Sequence, residues 1–346
     1  MTETRRQRRP TDFFFAIWLA IWLALPAFGQ PSEAEKLIEA GHWKQARAIV
    51  EERIRQVPED PLANFLLSQI RNAFGDTTSP HALAEKAVTL DGRVAKYHRQ
   101  LAEVLGVEAQ HAGPLKILLL AHQFRGEIDT AISLDPHDVQ AQRDLLEYYL
   151  VAPGIAGGDI QKATTTADHI AELNAPEGFL AKARIAAFRR QTSQAEAQLR
   201  KATQAQPPSY RALTELAKFY LTPEHLNPTD AESAARDMLK LDRDRVDAYA
   251  ILAQIYAQTG DWQALDAVLA DGLRLVPDDL TPYYRAADTL LGNGRDPLRA
   301  ARYLRVYLDH KPEGNAPMAA DARRRLTLAL QAQSHRPTGS ATKSPS

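Results

Sequence analysis

Residues 246–277, "VDAYAILAQIYAQTGDWQALDAVLADGLRLVP", constrain the fold more than any other stretch of this chain. Tyr249, Leu252, Ala253 and Tyr256 recur at spacings of 3, 1 and 3, one stripe of a helix. Gly260-Asp261 turns the chain, and Trp262, Leu265, Leu269, Gly272 and Leu273 form a second stripe. Pro277 ends the second helix, because the residue before a proline is pushed out of the helical region. The register returns elsewhere: Gly41, Trp43, Ala46 and Pro58 match its second half, and 34 residues separate Pro58 from Gly92. A helical hairpin of this kind cannot bury its apolar faces alone, so copies must stack. No segment alternates apolar and polar residues with β-branched enrichment, so no strand is expected.

The pattern resembles the tetratricopeptide repeat. With Val246 as position 1, Ala253 and Gly272 stand at positions 8 and 27, where that family needs small residues. Leu265 at position 20 departs, and Ala264 beside it points to a slight rotation. Leu67, Ala84 and Ala87 mark a second unit, and Leu101 and Ala102 a third that carries about ten extra residues. Leu145 and Tyr149 mark a fourth, in which Ala163 comes after a five-residue insertion. Ala183, Ala195 and Ala202 mark a weak fifth, Leu213, Leu216 and Ala217 a sixth, and Tyr283, Ala287 and Leu304 an eighth. The resemblance spans about residues 32–313. It implies an all-α, α-α superhelix (solenoid) of about eight helical hairpins, each touching only its neighbours. Residues 317–333 are expected to form a capping helix with Arg323, Arg324 and Arg325 on its solvated side, and 334–346 a disordered tail. Asp60-Pro61, Ser79-Pro80, Thr281-Pro282 and Asp296-Pro297 each read as a capping residue followed by proline at the first helical position.

The N-terminus has the layout of a cleavable secretory signal. Arg5, Arg6, Arg8 and Arg9 precede the apolar run Phe13–Leu25, and Pro26 and Ala27-Phe28-Gly29 follow it. The run falls short of the ~20 residues that a membrane span prefers. Residues 1–29 are therefore expected to be removed, with a retained anchor as the alternative, and the solenoid to occupy 30–333. Removal takes away four Arg, Glu3 and Asp12, moving the net charge from −1 to −3 and placing the mature chain in the periplasm or outside the cell. The stretch "LLEYYLVAPGIAGGDIQKA" is also similar to the corresponding proline-glycine loop of exported bacterial tetratricopeptide proteins.

Little in the chain points to chemistry. It has no cysteine, which removes disulfides, thiolate catalysis and Cys-ligated metals. Lys+Arg is 42 against 43 Asp+Glu, so no basic excess points to nucleic acid. His98, His111 and His122 are 13 and 11 residues apart, spacings that do not return to one helix face. No cofactor and no metal is expected. The stretch Val151–Ala163, "VAPGIAGGDIQKA", has three glycines ahead of a helix, as a phosphate loop does. It follows a helix rather than a strand, lacks the Lys-Ser/Thr pair, and puts Asp159 where a phosphate would sit. It is read as a corner, with Gly157 and Gly158 at positive φ and Asp159 capping the next helix.

The resemblance implies a concave groove lined by positions 2, 5, 9, 12 and 13 of each unit. Residues at matching positions are Gln69 and Asn72, then Arg143 and Glu147, then Arg211 and Lys218. The seventh unit adds Asp247, Gln254 and Gln258, and the eighth Asp288. This mixed-charge lining fits an extended peptide or a helix of another protein. The expected function is an exported, non-enzymatic scaffold with a protein or peptide partner. Two alternatives stay open: an enzyme or regulatory subunit with a small-molecule site in the groove, and a structural spacer in an envelope or secretion assembly.

Overall fold

The computed structural model describes residues 32–76, 79–310 and 317–334; the expected signal and the tail beyond Ser334 lie outside them. The described residues form helices and no strand. The helices pair in chain order: α1 (Glu33–Ala40) with α2 (Trp43–Gln56), α3 (Pro61–Ala73) with α4 (Ser79–Leu90), and α5 (Ala95–Gln110) with α6 (Pro114–Leu134). There follow α7 (Val139–Val151) with α8 (Ile160–Leu173), α9 (Ala175–Phe188) with α10 (Thr192–Gln204), and α11 (Tyr210–Phe219) with α12 (Pro228–Leu241). The last pairs are α13 (Val246–Thr259) with α14 (Trp262–Leu275) and α15 (Thr281–Gly292) with α16 (Pro297–Asp309). The final helix, α17 (Ala319–Ser334), packs on α16 and α15 and closes the stack. This is an α-α superhelix of eight hairpins with a terminal cap. None of the described helices is long and apolar enough to cross a membrane.

Small side chains set the spacing of the helices. Ala46, Ala87, Ala102, Ala163, Ala217 and Ala253 are fully buried at the crossings. Gly272 faces Tyr249 so closely that an added Cβ would lie 3.4 Å from the tyrosine Cβ. At Gly178 an added Cβ would stand 2.3 Å from the Ala171 Cα, so α9 and α8 touch backbone to backbone. Leu265 is itself fully buried while Ala264 is only half-buried, so α14 is not rotated as its sequence suggested. The pocket in the partner helices accepts leucine at that crossing.

Caps follow the polar residues, with one correction. Asp60 and Asp296 accept from the backbone N–H of Ala63 and Arg299, as read from their Asp-Pro pairs. Ser79 and Thr281 are the first helical residues rather than the caps. Asp76 and Asp279 cap them from earlier in the chain, accepting from the N–H of Ser79 at 3.3 Å and of Thr281 at 2.8 Å.

The corner at residues 151–163 lies between α7 and α8, with a short 3₁₀ turn at Gly154–Ala156. Asp159 caps α8 by accepting from Gln161 and Lys162 N–H. Gly157 has φ +98°. Gly158 does not have a positive φ. It is required for a different reason, since an added Cβ would fall 1.9 Å from the Ala152 carbonyl oxygen. Gly157→Ala should cost about 1 kcal/mol through the left-handed backbone, and Gly158→Ala about 2–3 kcal/mol by forcing the corner open. Urea unfolding of the two variants checks the order; the reverse order would show that φ, not crowding, governs this corner.

The repeats do not touch only their neighbours. The stack curls until its first hairpin meets the loop between the seventh and eighth. His42 Nδ1 lies 3.0 Å from both carboxylate oxygens of Asp278, Lys44 Nζ donates to the Asp278 carbonyl at 2.8 Å, and Gln45 donates to Oδ2 at 3.2 Å. His42 and Asp278 side chains are 15% and 14% exposed, so this is a shielded contact and not a chance surface pair. It joins the first hairpin to the loop before the eighth. Asp278→Ala should leave each hairpin folded, with helical circular dichroism unchanged, and let the coil open. Small-angle X-ray scattering should then give a larger radius of gyration than the wild type; an equal radius would show that the contact does not hold the curl.

Candidate functional site

The first helices of successive pairs lie side by side and line shared cavities, and their polar residues meet those of the next pair. Asn72 Nδ2 donates to Glu103 Oε1 at 3.1 Å. Arg184 holds Glu147 in a fork, donating through Nε at 2.8 Å and Nη2 at 2.9 Å. Arg211 donates to Glu177, and Arg143 Nε stands 3.6 Å from the same carboxylate. Arg325 of the capping helix pairs with Asp288 at 3.0 Å. Polar contacts, most of them ion pairs, thus join neighbouring hairpins along this face and tie the last hairpin to the capping helix.

Nine of the ten predicted residues fall into these contacts or into the cavities of the groove. Arg143, Glu147, Arg211 and Lys218 border one cavity of about 360 Å³, with Leu180 and Phe219 supplying its apolar wall. Gln69 and Asn72 border a polar cavity at the N-terminal end. Asp247 and Gln254 border one at the C-terminal end, again with Lys218. Asp288 is taken up by Arg325, so α17 covers the end of the groove, and Arg325 is a contact rather than part of a solvated side. Gln258 is half-buried, and its backbone carbonyl accepts from Arg295 at 2.7 Å. Its side chain borders none of the three cavities just described.

The sequence reading passed over Lys96, Arg99, Glu103, Asp144, Glu177 and Arg184. Five of these were within reach. The register applied to the third unit puts Lys96, Arg99 and Glu103 at positions 2, 5 and 9, and applied to the fifth puts Glu177 and Arg184 at 2 and 9. Asp144 sits one residue off any groove position, and only the curvature of α7 against α5 brings it in.

The floor between α5 and α7 is the most perturbed part of the molecule. Burial pushes the Asp144 carboxyl up to about 7, against the pull of Arg99; nearby Glu103 adds to the rise and Arg143 opposes it. Protein packed around the Glu103 carboxyl raises it too, against Arg99 and the Asn72 bond. Burial and then Arg211 lower the Arg143 guanidinium below its ordinary value. Arg99 stands 3.7 Å from Asp138, and its Nε is buried without a hydrogen-bond partner. Among the described residues, no group of three or more His, Asp or Glu could hold a metal ion. His98 is fixed between Glu127 at 2.6 Å and the Gly92 carbonyl at 2.9 Å, which places it in packing.

No family model and no curated protein matches this sequence. Solved structures do. Yeast Tom70 superposes with a TM-score of 0.55 at 14% identity, over 91% of this chain and 67% of that one. A thermophilic tetratricopeptide repeat protein of Thermus thermophilus matches at 18% identity over 55% of this chain and 96% of its own, with a TM-score of 0.48. YrrB, described as a tetratricopeptide repeat protein with an unusual peptide-binding site, matches at 15% identity over 60% of this chain and 97% of its own, with a TM-score of 0.37. The fold is a tetratricopeptide-like solenoid.

Asp144 makes stability depend on pH. A free aspartate titrates near 4, so the folded chain keeps a proton that the unfolded chain releases between about pH 4 and 7. Stability contributed at this site is present at low pH and is lost as pH rises through that window. Asp144→Asn should therefore stabilise the protein at pH 8, by on the order of 1 kcal/mol once solvent in the groove is allowed for, and leave it unchanged at pH 4.5. Urea titrations at the two pH values check this; an equal gain at both would assign the effect to packing, not charge.

Proposed function

We propose that this protein is a scaffold that holds a protein or peptide segment in its concave groove. The observation that carries the reading is the cavity between the fourth and sixth hairpins. Four groove positions read from the repeat register, Arg143, Glu147, Arg211 and Lys218, surround it together with an apolar wall. Paired ions on rigid helices offer fixed donors and acceptors, and Leu180 and Phe219 offer a seat for an apolar side chain. This combination suits an extended segment with mixed side chains better than a small metabolite, because polar groups line three cavities in succession along one face. The cations toward the C-terminal end are the least committed. Lys218 reaches Glu215 only at 3.6 Å and is 59% exposed, and Arg285, exposed, makes no ion pair among the described residues. Acidic side chains of the bound segment would meet them.

The same proposal places the protein outside the cytoplasm of a bacterium, on the arginine, apolar and small-residue layout of residues 5–29. A scaffold whose chain has no cysteine needs no oxidative folding there.

One experiment addresses both. Tagged protein is cross-linked in cells and recovered from the envelope fraction, its N-terminus is read by mass spectrometry, and captured proteins are compared with those of a Lys218→Glu, Arg285→Glu variant. These exposed positions are preferred to Arg143, where glutamate would face Glu177 and Asp144 and unfold the groove. The expected result is a chain beginning at Gln30 and a partner recovered at least several-fold less with the variant. Exposed charge changes move stability by about 0.5 kcal/mol or less, so circular dichroism should be unchanged. Equal recovery with a folded variant would overturn the groove reading, and recovery from the cytoplasm alone would overturn the location.

A further inference from the structure

At two neighbouring hairpins the turn from first to second helix changes character. The turns of the second, fifth, sixth, seventh and eighth hairpins carry charge, with Asp76, Arg190, Glu224, Asp261 and Arg295 among them. The third and fourth are different. Residues 109–124 and 150–158 hold one charged side chain, Lys116, in a chain that is 25% charged. The two turns lie together: Val107 and Gln110 at the end of α5 border the same cleft as Val151 and Pro153, and the 3₁₀ turn Gly154–Ala156 packs against α6.

The third tip is also lengthened. α6 has 21 residues where the other second helices have 12–14. α6 and α14 both end two residues before a proline, Pro136 and Pro277, so the extra turns stand at the start of α6. About seven more residues of helix add roughly 10 Å along its axis. What the tips present is apolar. Leu115 in the first turn of α6 and Ile155 in the 3₁₀ turn are each 86% exposed, and no other bulky apolar side chain among the described residues exceeds 65%. Val151 is at 65%, and Leu119, one turn after Leu115, at 58%. Leu115 and Leu119 lie on the face of α6 opposite to Ile117, Leu120 and Phe124, which line the cleft. The exposed side chains are therefore separate projections and not the walls of one groove. Exposed apolar surface gathered in this way marks a contact site with a protein or a membrane.

Charge narrows the occupant. Lys116, 62% exposed, reaches Glu108 only at 3.9 Å, and Glu108 is held by His81 at 2.6 Å. Asp159, after the fourth tip, is spent on the N-terminal N–H groups of α8. The carboxylates of the cleft, Glu103, Asp144 and Glu147, stand beside Arg99 and Arg184 and border the groove cavities. The tips thus offer apolar side chains, one loosely held cation and no carboxylate of their own. A protein partner would have to meet projections on two faces with no exposed Trp, Tyr or Arg to anchor it, the residues that usually dominate such contacts. A lipid surface is broad, deforms around separate side chains, and has anionic headgroups that disfavour carboxylates and accept lysine.

We propose that these two hairpin tips are a membrane-contact edge. Leu115, Leu119, Val151 and Ile155 enter the headgroup boundary of a phospholipid bilayer, and Lys116 meets lipid phosphates. The protein rests on the bilayer here without crossing it. The edge is separate from the groove cavity bordered by Arg211 and Lys218, and it does not depend on the reading of that cavity.

The chain has no cysteine, so a single introduced cysteine takes a polarity-sensitive NBD label at one place. The test uses the full chain carrying Leu119→Cys, Ile155→Cys or, at the tip of the sixth hairpin, Glu224→Cys, titrated with vesicles of phosphatidylethanolamine and phosphatidylglycerol. A blue shift with increased emission is expected at positions 119 and 155 and none at 224. Leu115→Ser with Ile155→Ser, in the Leu119→Cys protein, should raise the lipid needed for half the change at least tenfold. Its melt should be unchanged, since both side chains are already in solvent. Lys116→Glu should raise it several-fold on these vesicles and little on phosphatidylcholine alone. Absence of a shift at both tips, or indifference to Leu115→Ser with Ile155→Ser, overturns the proposal. So does an equal shift at position 224, which would mean that another part of the chain, residues 13–25 included, draws it to the vesicle. A shift without lipid, with a dimer in sedimentation equilibrium that the double variant dissolves, would assign the edge to a second copy instead.

Discussion

Everything in this molecule rests on close contact between helices that lack bulk at their crossings. A helix of 12–14 residues is marginal alone in water, so each must gain its stability from its neighbours. Neighbours can approach only where a side chain is small. Ala102, Ala163 and Ala167 are fully buried, and Gly178 lets α9 reach the backbone of α8. Large side chains then fill the layers between: Tyr249, Ile170, Leu290 and Tyr307 are almost wholly enclosed. The cost of a misfit is asymmetric. Extra methylenes at an alanine crossing typically cost about 1–3 kcal/mol, and because each hairpin leans on the next, the strain passes along the stack. Leu265 shows that the rule concerns the space available and not the residue type. It sits at a crossing that the repeat reserves for a small residue and is fully buried there.

The groove follows from the same geometry. Curving the stack brings the first helices of successive pairs together on the inside, so polar side chains at one register position face those of the next pair. Half-exposed ion pairs such as Glu147–Arg184 contribute at most about 1 kcal/mol each, so stability does not explain the ladder. Its effect is on orientation. Glu177, 14% exposed, stands within ion-pair reach of both Arg143 and Arg211. At Asp144 the floor goes further and keeps a proton near neutral pH, which leaves the region less negative than a count of its carboxylates suggests.

The helices, their pairing and the capped ends were legible because they depend on residues close in sequence. Pro277 and Gly260 mark ends, Asp159 and Asp60 mark starts, and the 34-residue interval from Pro58 to Gly92 marks the repeat. Arg143, Glu147, Arg211 and Lys218 were legible for the same reason: a fixed register carries a fixed direction. What lay hidden depends on distances that no local pattern holds. The contact of His42 with Asp278 joins residues 236 apart and depends on how the successive hairpins stack, not on any local pattern. Gly158 shows a finer limit. A glycine at a corner signals either a positive φ or a close approach, and here the neighbouring Gly157 has the first and Gly158 the second. Glu103 and Glu177 went unread for a different reason: the third and fifth units match the repeat weakly, so their register carried less weight than it should have.

The insertions are where the sequence departs from what stacking alone requires. A repeat that served only to support its neighbours would place polar residues on added turns, as α17 does at the end of the stack with Arg323 and Arg324 exposed. The added turns of α6 carry Leu115, Ile117 and Leu119 instead, and the added corner carries Val151 and Ile155. Burying such side chains would be worth about 1.5–3 kcal/mol each, yet the fold leaves most of that unrealised. The small cluster of Ala84, Leu101, Leu105 and Leu120 is separate from the main core. Apolar surface is thus left open where two neighbouring repeats each lengthen, while the carboxylates between them stay beside Arg99 and Arg184.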